Sequence, residues 1–287
     1  MYDRVLVTTD GSQGAAAAVE YGLGLAEAFD SAVDALYVVD VDVGVVESGG
    51  DDEVQALFES DERSGRHALA EIVERVPDLG VHREVRRGAP YEEILAYATE
   101  RGSDLLVVGN SGMADRRVGS TAERVITLAP EPVLAVPRGE TSPDDAAGVN
   151  IEDVVVPVDG SEPAERSAEH AIDLAGRLGA TVHVVYVIDT SVYELADAPR
   201  SIVGLLKEGG ENTVTEFVEA AEDAEVPTTW RVSRGRPAEE ILARADAVEA
   251  DLVVMGTRGR GGLPEHLLGS TTRRVVRDAS RPVLSLA

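Results

Sequence analysis

The residues with most chemistry to offer lie where short β-branched runs give way to glycine. In the second half, Asp153–Val158 leads into Asp159-Gly160-Ser161, and Asp251–Met255 leads into Gly256-Thr257-Arg258-Gly259-Arg260-Gly261-Gly262, which runs on to Gly269-Ser270 at the start of a helical stretch. Glycines that enter a helix let backbone N–H groups approach an anion, and the helix N-terminus adds a favourable field. Arg258 and Arg260 can add charge-assisted hydrogen bonds to phosphate oxygens. Two arginines among five glycines, in a chain of 53 acids and 26 bases, favour an anion over plain solvated charge.

Other polar residues have ordinary readings. Asp10 and Asp159 can cap the following helix or hold the turn, while Ser120 and Ser270 read as N-caps. Asp40 and Asp189 end strands, where aspartate commonly begins a loop, and a metal role is the minority reading. The pairs Glu92-Glu93 and Glu239-Glu240 fall in the first turn of a helix and suit its dipole. Tyr37 and Tyr186 read as sheet filling, and the five histidines are scattered without metal-ligand spacing. The only lysine, Lys207, lies outside any G-x-x-x-x-G-K-[S/T] loop, and no G-x-G-x-x-G follows the first strand. No Ser/His/Asp or catalytic carboxylate set stands beside the loop, so no enzyme is expected.

The elements that must position these residues occur twice. Residues 87–112 and 234–259 align without gaps at an offset of 147, with 14 of 26 positions identical. Val7-Thr8-Thr9-Asp10-Gly11-Ser12 matches Val156-Pro157-Val158-Asp159-Gly160-Ser161, and Pro132-Val133-Leu134 matches Pro282-Val283-Leu284. The repeat predicts one domain over 1–137, a polar linker over 138–150 and a second domain over 151–287. In the second copy, strands are expected at Asp153–Val158, Thr181–Ile188, Thr228–Val232, Asp251–Met255 and Pro282–Leu286. Helices are expected at Pro163–Leu178, Pro199–Ala224, Pro237–Ala247 and Ser270–Asp278, the second with a possible interruption at Gly209-Gly210. The first copy follows the same order, from Arg4–Thr9 to Pro132–Val136. Strand–helix alternation with strands apolar on both faces predicts a doubly wound α/β sheet. In such sheets ligands sit beyond the carboxyl ends of the strands.

Composition narrows the function classes. A net charge of −27 argues against nucleic-acid binding, whose electrostatic footprint is basic. No run reaches the roughly 18 apolar residues of a membrane span. Asp3 and Arg4 interrupt the N-terminal stretch, so no signal peptide is expected and a cytoplasmic location is. Without cysteine the chain has neither disulfides nor thiolate metal sites. The acidic, Ala/Val-rich, almost lysine-free composition is like that of proteins from a salt-filled cytoplasm, and a halophilic archaeal source is the matching expectation.

The spacing Gly256-x2-Gly259-x9-Gly269-Ser270, the Asp159-Gly160-Ser161 turn, Gly235-x-Pro237 and the terminal Arg281-Pro282-Val283 resemble the universal stress protein family, twice over as in its tandem members. The resemblance implies two Rossmann-like domains, each a five-stranded parallel sheet with helices on both faces. It further implies binding of ATP or another adenine nucleotide, with Mg2+ as a companion ion, and a regulatory or protective role under stress. By position, Pro157, Val158 and Asp159 would meet adenine and ribose, and Val187 the base. Gly256, Arg258, Gly259, Gly269, Ser270 and Thr271 would receive ribose and phosphates. A weaker first site would use Thr9, Asp10, Val38, Gly109, Gly112, Gly119 and Ser120. Its loop has six residues, Met113 to Val118, where the motif has nine, and Asp115 adds a carboxylate. Single-domain members pair through their last strands. An intrachain pairing of Pro132–Val136 with Pro282–Leu286 is therefore implied, a homodimer being the other arrangement.

Two further readings stay open: an interaction module for unknown protein partners that binds no nucleotide, and a slow ATP hydrolase. Charge gives a test of its own. Carboxylate repulsion is unscreened over about 30 Å at 0.01 M salt and over about 3 Å at 1 M. The melting temperature should therefore rise from dilute buffer to molar KCl, and a salt-independent value would contradict the reading.

Overall fold

In a computed structural model, residues 1–41, 51–77, 79–110, 119–138, 149–190, 200–260 and 267–287 are described. The chain divides into two compact units, Tyr2–Val149 and Asn150–Ala287. The first runs β1 (Arg4–Thr9), α1 (Gln13–Phe29), β2 (Ala32–Asp40), α2 (Asp51–Arg75), β3 (Val81–Gly88), α3 (Pro90–Arg101), β4 (Leu105–Gly109), α4 (Ser120–Leu128) and β5 (Val133–Val136). The second runs β6 (Asp153–Val158), α5 (Glu162–Leu178), β7 (Thr181–Asp189), α6 (Arg200–Asp223), β8 (Thr228–Gly235), α7 (Pro237–Ala247), β9 (Leu252–Gly256), α8 (Ser270–Asp278) and β10 (Val283–Leu286).

Within the first unit the strands lie in the order β3-β2-β1-β4-β5, and within the second β8-β7-β6-β9-β10, all parallel. Each order reverses beside the first strand of the unit, which leaves a crevice at the carboxyl ends of β1 and β4, and of β6 and β9. The doubly wound α/β sheet expected from the alternation of elements is the observed fold. Central strands are buried on both faces: Val5–Val7, Leu105–Val107 and Val154–Val156 are fully enclosed. Among the described residues no helix is long and apolar enough to cross a membrane.

Polar groups collect at the amino ends of the strands. Asp34, on β2 and fully buried, accepts hydrogen bonds from Arg4 at 3.1 Å and Arg101 at 3.0 Å, with His82 at 3.4 Å. At the matching place on β7 the second unit has His183, whose Nε2 lies 2.6 Å from Asp153 where the first has Arg4. The buried residue at this place is thus an acid in one copy and an imidazole in the other.

One local expectation fails. Helix α6 runs unbroken through Gly209-Gly210. An ideal Cβ on Gly210 would lie 2.6 Å from the Tyr186 ring, so glycine here permits close passage over the sheet rather than a break. In the first unit Gly65 of α2 crosses the Tyr37 ring in the same way, at 2.5 Å. The β8 strand also extends to Gly235, beyond the expected Val232, because pairing with β7 continues to Asp189↔Gly235.

These two glycines predict opposite outcomes on mutation. Nothing lies within 4 Å of a Cβ at Gly209, so Gly209→Ala should raise stability by up to about 1 kcal/mol through helix propensity alone. Gly210→Val should lower it by about 1–3 kcal/mol by overpacking Tyr186. Denaturant midpoints of the two variants give the comparison.

Candidate functional site

The carboxyl ends of β6, β7 and β9 surround a cavity of about 490 Å3, within the usual range for small-molecule sites. Pro157, Val158, Asp159, Val187, Gly256, Arg258, Gly259, Gly269, Ser270 and Thr271 all line it. Sequence reasoning missed Leu206 of α6 and Ile241 of α7, which complete its apolar wall. It also missed Tyr186, which lines the same cavity. Tyr186 and Val187 point to opposite faces of β7, but at a strand end both can reach the opening.

Local geometry explains why these residue types stand here. Gly160 has φ +74°, the left-handed conformation that glycine adopts without strain. Asp159 Oδ1 accepts from the Ser161 N–H at 3.0 Å and from the Ser161 hydroxyl at 2.5 Å. The turn-holding role is therefore present, and a second role is added to it. Asp159 Oδ2 accepts from the backbone N–H of Arg260 at 3.1 Å, tying the glycine loop to the β6 turn. A Cβ on Gly259 would stand 2.5 Å from that same oxygen. The Arg260 guanidinium lies along Gly160 and donates to the Tyr186 hydroxyl at 3.4 Å.

The far end of the loop is pinned by backbone. The N–H of Gly269 donates to the Thr257 carbonyl at 2.9 Å, and the Thr257 N–H donates to the Leu286 carbonyl at 2.7 Å. Buried Thr272 donates its hydroxyl to the Gly256 carbonyl at 2.8 Å, holding α8 against the end of β9. With glycine as its N-cap, α8 has no capping side chain, and no acid stands in its first turn. Its leading N–H groups and its dipole therefore face the cavity uncompensated by side chains of that turn. Gly256 is glycine because a Cβ would come within 2.9 Å of the Pro163 backbone at the start of α5.

The first unit repeats this frame with different contents. Gly119 donates to the Asn110 carbonyl at 2.8 Å, and the Asn110 N–H to Val136 at 2.9 Å. Gly109, Gly119 and Ser120 thus keep the places of Gly256, Gly269 and Ser270, and Val38 is half-buried on β2. Thr9 and Asp10 instead line a different cavity of about 480 Å3, against Tyr37, Asp61 and Arg75 beside α1 and α2. Val38, Gly109, Gly119 and Ser120 do not line it. Asp10 holds its turn by accepting from the Ser12 N–H at 2.9 Å, and Ser12 caps α1 through Ala15 at 3.2 Å. Gly112, Asp115 and the linker residues 139–148 lie outside the described residues, as do Gly261 and Gly262 of the second loop. One asymmetry escaped the sequence reading although aligning Ser120–Glu123 with Ser270–Arg273 exposes it. The first turn of α4 carries Glu123 where α8 has Arg273, and Ala122 replaces Thr272.

The acid pairs at the third helix of each unit serve packing and charge. Glu240 lies so close to Gly235 that a Cβ there would be 2.6 Å from Oε1, and Glu93 faces Gly88 at the same distance. Glu239 receives Arg274 at 2.8 Å and Arg236 at 3.3 Å. No group of three or more His, Asp or Glu suited to a metal ion occurs among the described residues.

The model of the universal stress protein family matches residues 1–137 and again 150–286. A universal stress protein of Mycolicibacterium smegmatis is 30% identical over 98% of this chain and 95% of its own length. Another, from Methanocaldococcus jannaschii, is 40% identical over 46% of this chain and 79% of its own. The crystal structure of a universal stress protein from Archaeoglobus fulgidus covers 99% of this chain and 95% of its own, with a TM-score of 0.73 at 22% identity, a likeness of fold.

The Thr272 contact predicts a stability effect confined to one copy. Thr272→Val leaves the buried Gly256 carbonyl without this donor and should cost about 1–3 kcal/mol. Ala122→Val, on the same helix position of the first unit, removes no hydrogen bond. Hydrogen exchange of β9 amides should quicken in the Thr272 variant, and unchanged exchange would contradict the contact.

Proposed function

Because this chain belongs to the universal stress protein family in both of its halves, we propose that its second unit binds ATP or a related adenine nucleotide. The observation that carries the reading is the single cavity in which a glycine loop, an uncapped helix start and Arg258 face an apolar slot. Pro157, Val158, Val187 and Ile241 offer a base that slot, and Asp159 offers the base or ribose an acceptor. To do so its Oδ2 exchanges the Arg260 N–H for a ligand donor. Arg258 and the first amides of α8 receive phosphate oxygens, with no side chain at Gly259 or Gly269 to fill their path. With no acidic cage among the described residues, Mg2+ would arrive on the phosphates and keep most of its water ligands.

The first unit is proposed as the weaker site or as a docking module without nucleotide. Its shorter loop is compounded by Glu123, whose charge opposes an anion at the start of α4. The role is regulatory or protective, exerted in a salt-rich cytoplasm. A bound nucleotide stabilises the closed loop by mass action, about 2.7 kcal/mol at a hundred times Kd, and so biases the surface that partners meet.

Gly269→Val and Gly259→Val should remove most adenine-nucleotide binding by calorimetry, whereas Gly119→Val should leave it nearly intact. Mass spectrometry of small molecules released from the purified protein identifies which nucleotide it carries. Equal losses from both sets of variants, or two equivalent sites in the unmodified chain, would defeat the proposal.

A further inference from the structure

A second cationic feature of the same unit lies at the other end of the strands. The Arg244 guanidinium on α7 reaches the sheet, where Nη2 donates to the Thr229 hydroxyl at 2.9 Å and stands 3.2 Å from Nδ1 of His183. The Arg244 Nε is buried and has no hydrogen-bond partner. Arg231 follows Thr229 by two residues on β8, hence on the same face, about 6.5 Å along the strand. Neither arginine forms an ion pair with a described carboxylate, although the chain carries 53 acids. Asp153 is taken up by His183 at 2.6 Å.

We propose that Arg231, Arg244 and the Thr229 hydroxyl form a site for a small oxyanion of the phosphate or sulfate class on the α7 face of β8. A pair of like charges held on one face is costly, and an oxyanion between them relieves it, whereas the enclosed Arg244 Nε is not among its donors. Burial, and then the charge of Arg231, hold Arg244 below the ordinary arginine range, which agrees with cations lacking a counter-charge. The first unit supplies an internal control. At the places of Arg231 and Arg244 it has Glu84 and Tyr97, and there Arg86 is satisfied by Glu84 at 2.8 Å and by Glu100 at 2.5 Å. The site therefore belongs to the second copy alone. It is separate from the nucleotide cavity, since Thr229 pairs with His183, six residues or about 20 Å of strand before Asp189.

Inorganic phosphate is the probe, titrated against the full chain by thermal shift at constant ionic strength held with KCl. Gly269→Val serves as the background, so that the phosphate path at α8 is blocked. A saturable rise in melting temperature is expected, with an apparent dissociation constant increased at least about tenfold by Arg231→Gln, which lies at the surface and should not disturb folding. Arg244→Gln should do the same, and Glu84→Gln in the first unit should change nothing. A response no larger than the KCl control, or one that Arg231→Gln leaves unchanged, would overturn the proposal. Loss of nucleotide binding in Gly269→Val has no bearing on this outcome, so the two sites are judged independently.

Discussion

Two-sided burial of the central strands governs what else this chain can do. With β1, β4, β6 and β9 enclosed by side chains above and below, a polar side chain along their middles would meet no water and few partners. Chemistry is thereby driven to the strand ends. At the carboxyl ends backbone amides, glycines and helix starts gather, and the second unit opens a cavity among them. At the amino ends charged side chains gather instead, around Asp34 in one copy and His183 in the other. The same constraint makes both regions and keeps them a strand length apart.

The two copies show how far side chains can change while backbone geometry stays. Arg4 and Asp34 face one another in the first unit; Asp153 and His183 occupy those places in the second. Asp34 is paired with arginines from β1 and α3, so removing both would strand a buried charge. The second unit has Asp153 and Val248 at the places of Arg4 and Arg101 and His183 at that of Asp34, and Asp153 supplies an acid to the imidazole. Arg244 is left with hydroxyl and imidazole partners in a chain that otherwise abounds in carboxylates.

Element order and the cavity residues were legible because both depend on local rules. Buried strands read as β-branched runs, and the loop glycines sit at fixed spacing from them. What escaped the reading depends on register and packing. Gly209-Gly210 resembled an interruption because propensity was weighed without the ring of Tyr186 beneath it. Leu206 and Ile241 reach the cavity from helix faces that look like ordinary core, and periodicity cannot separate a core wall from a pocket wall. The exchange of Arg4 and Asp34 for Asp153 and His183 became visible as a contact only once β1 was paired with β2, and β6 with β7.

The backbone pins that close the glycine loops carry an evolutionary consequence. In each unit the residue after the fourth strand accepts from the glycine that starts the last helix, and both loop ends are thereby fixed. Eight residues lie between the pins in the first unit and eleven in the second. Closing the longer loop costs only about 0.3 kcal/mol more chain entropy. Insertions there are nearly silent for folding, while they change what the loop can encircle. After a duplication, one copy can thus drift in ligand while its scaffold remains under unchanged selection, and length at this one place becomes a cheap variable on which specificity can diverge.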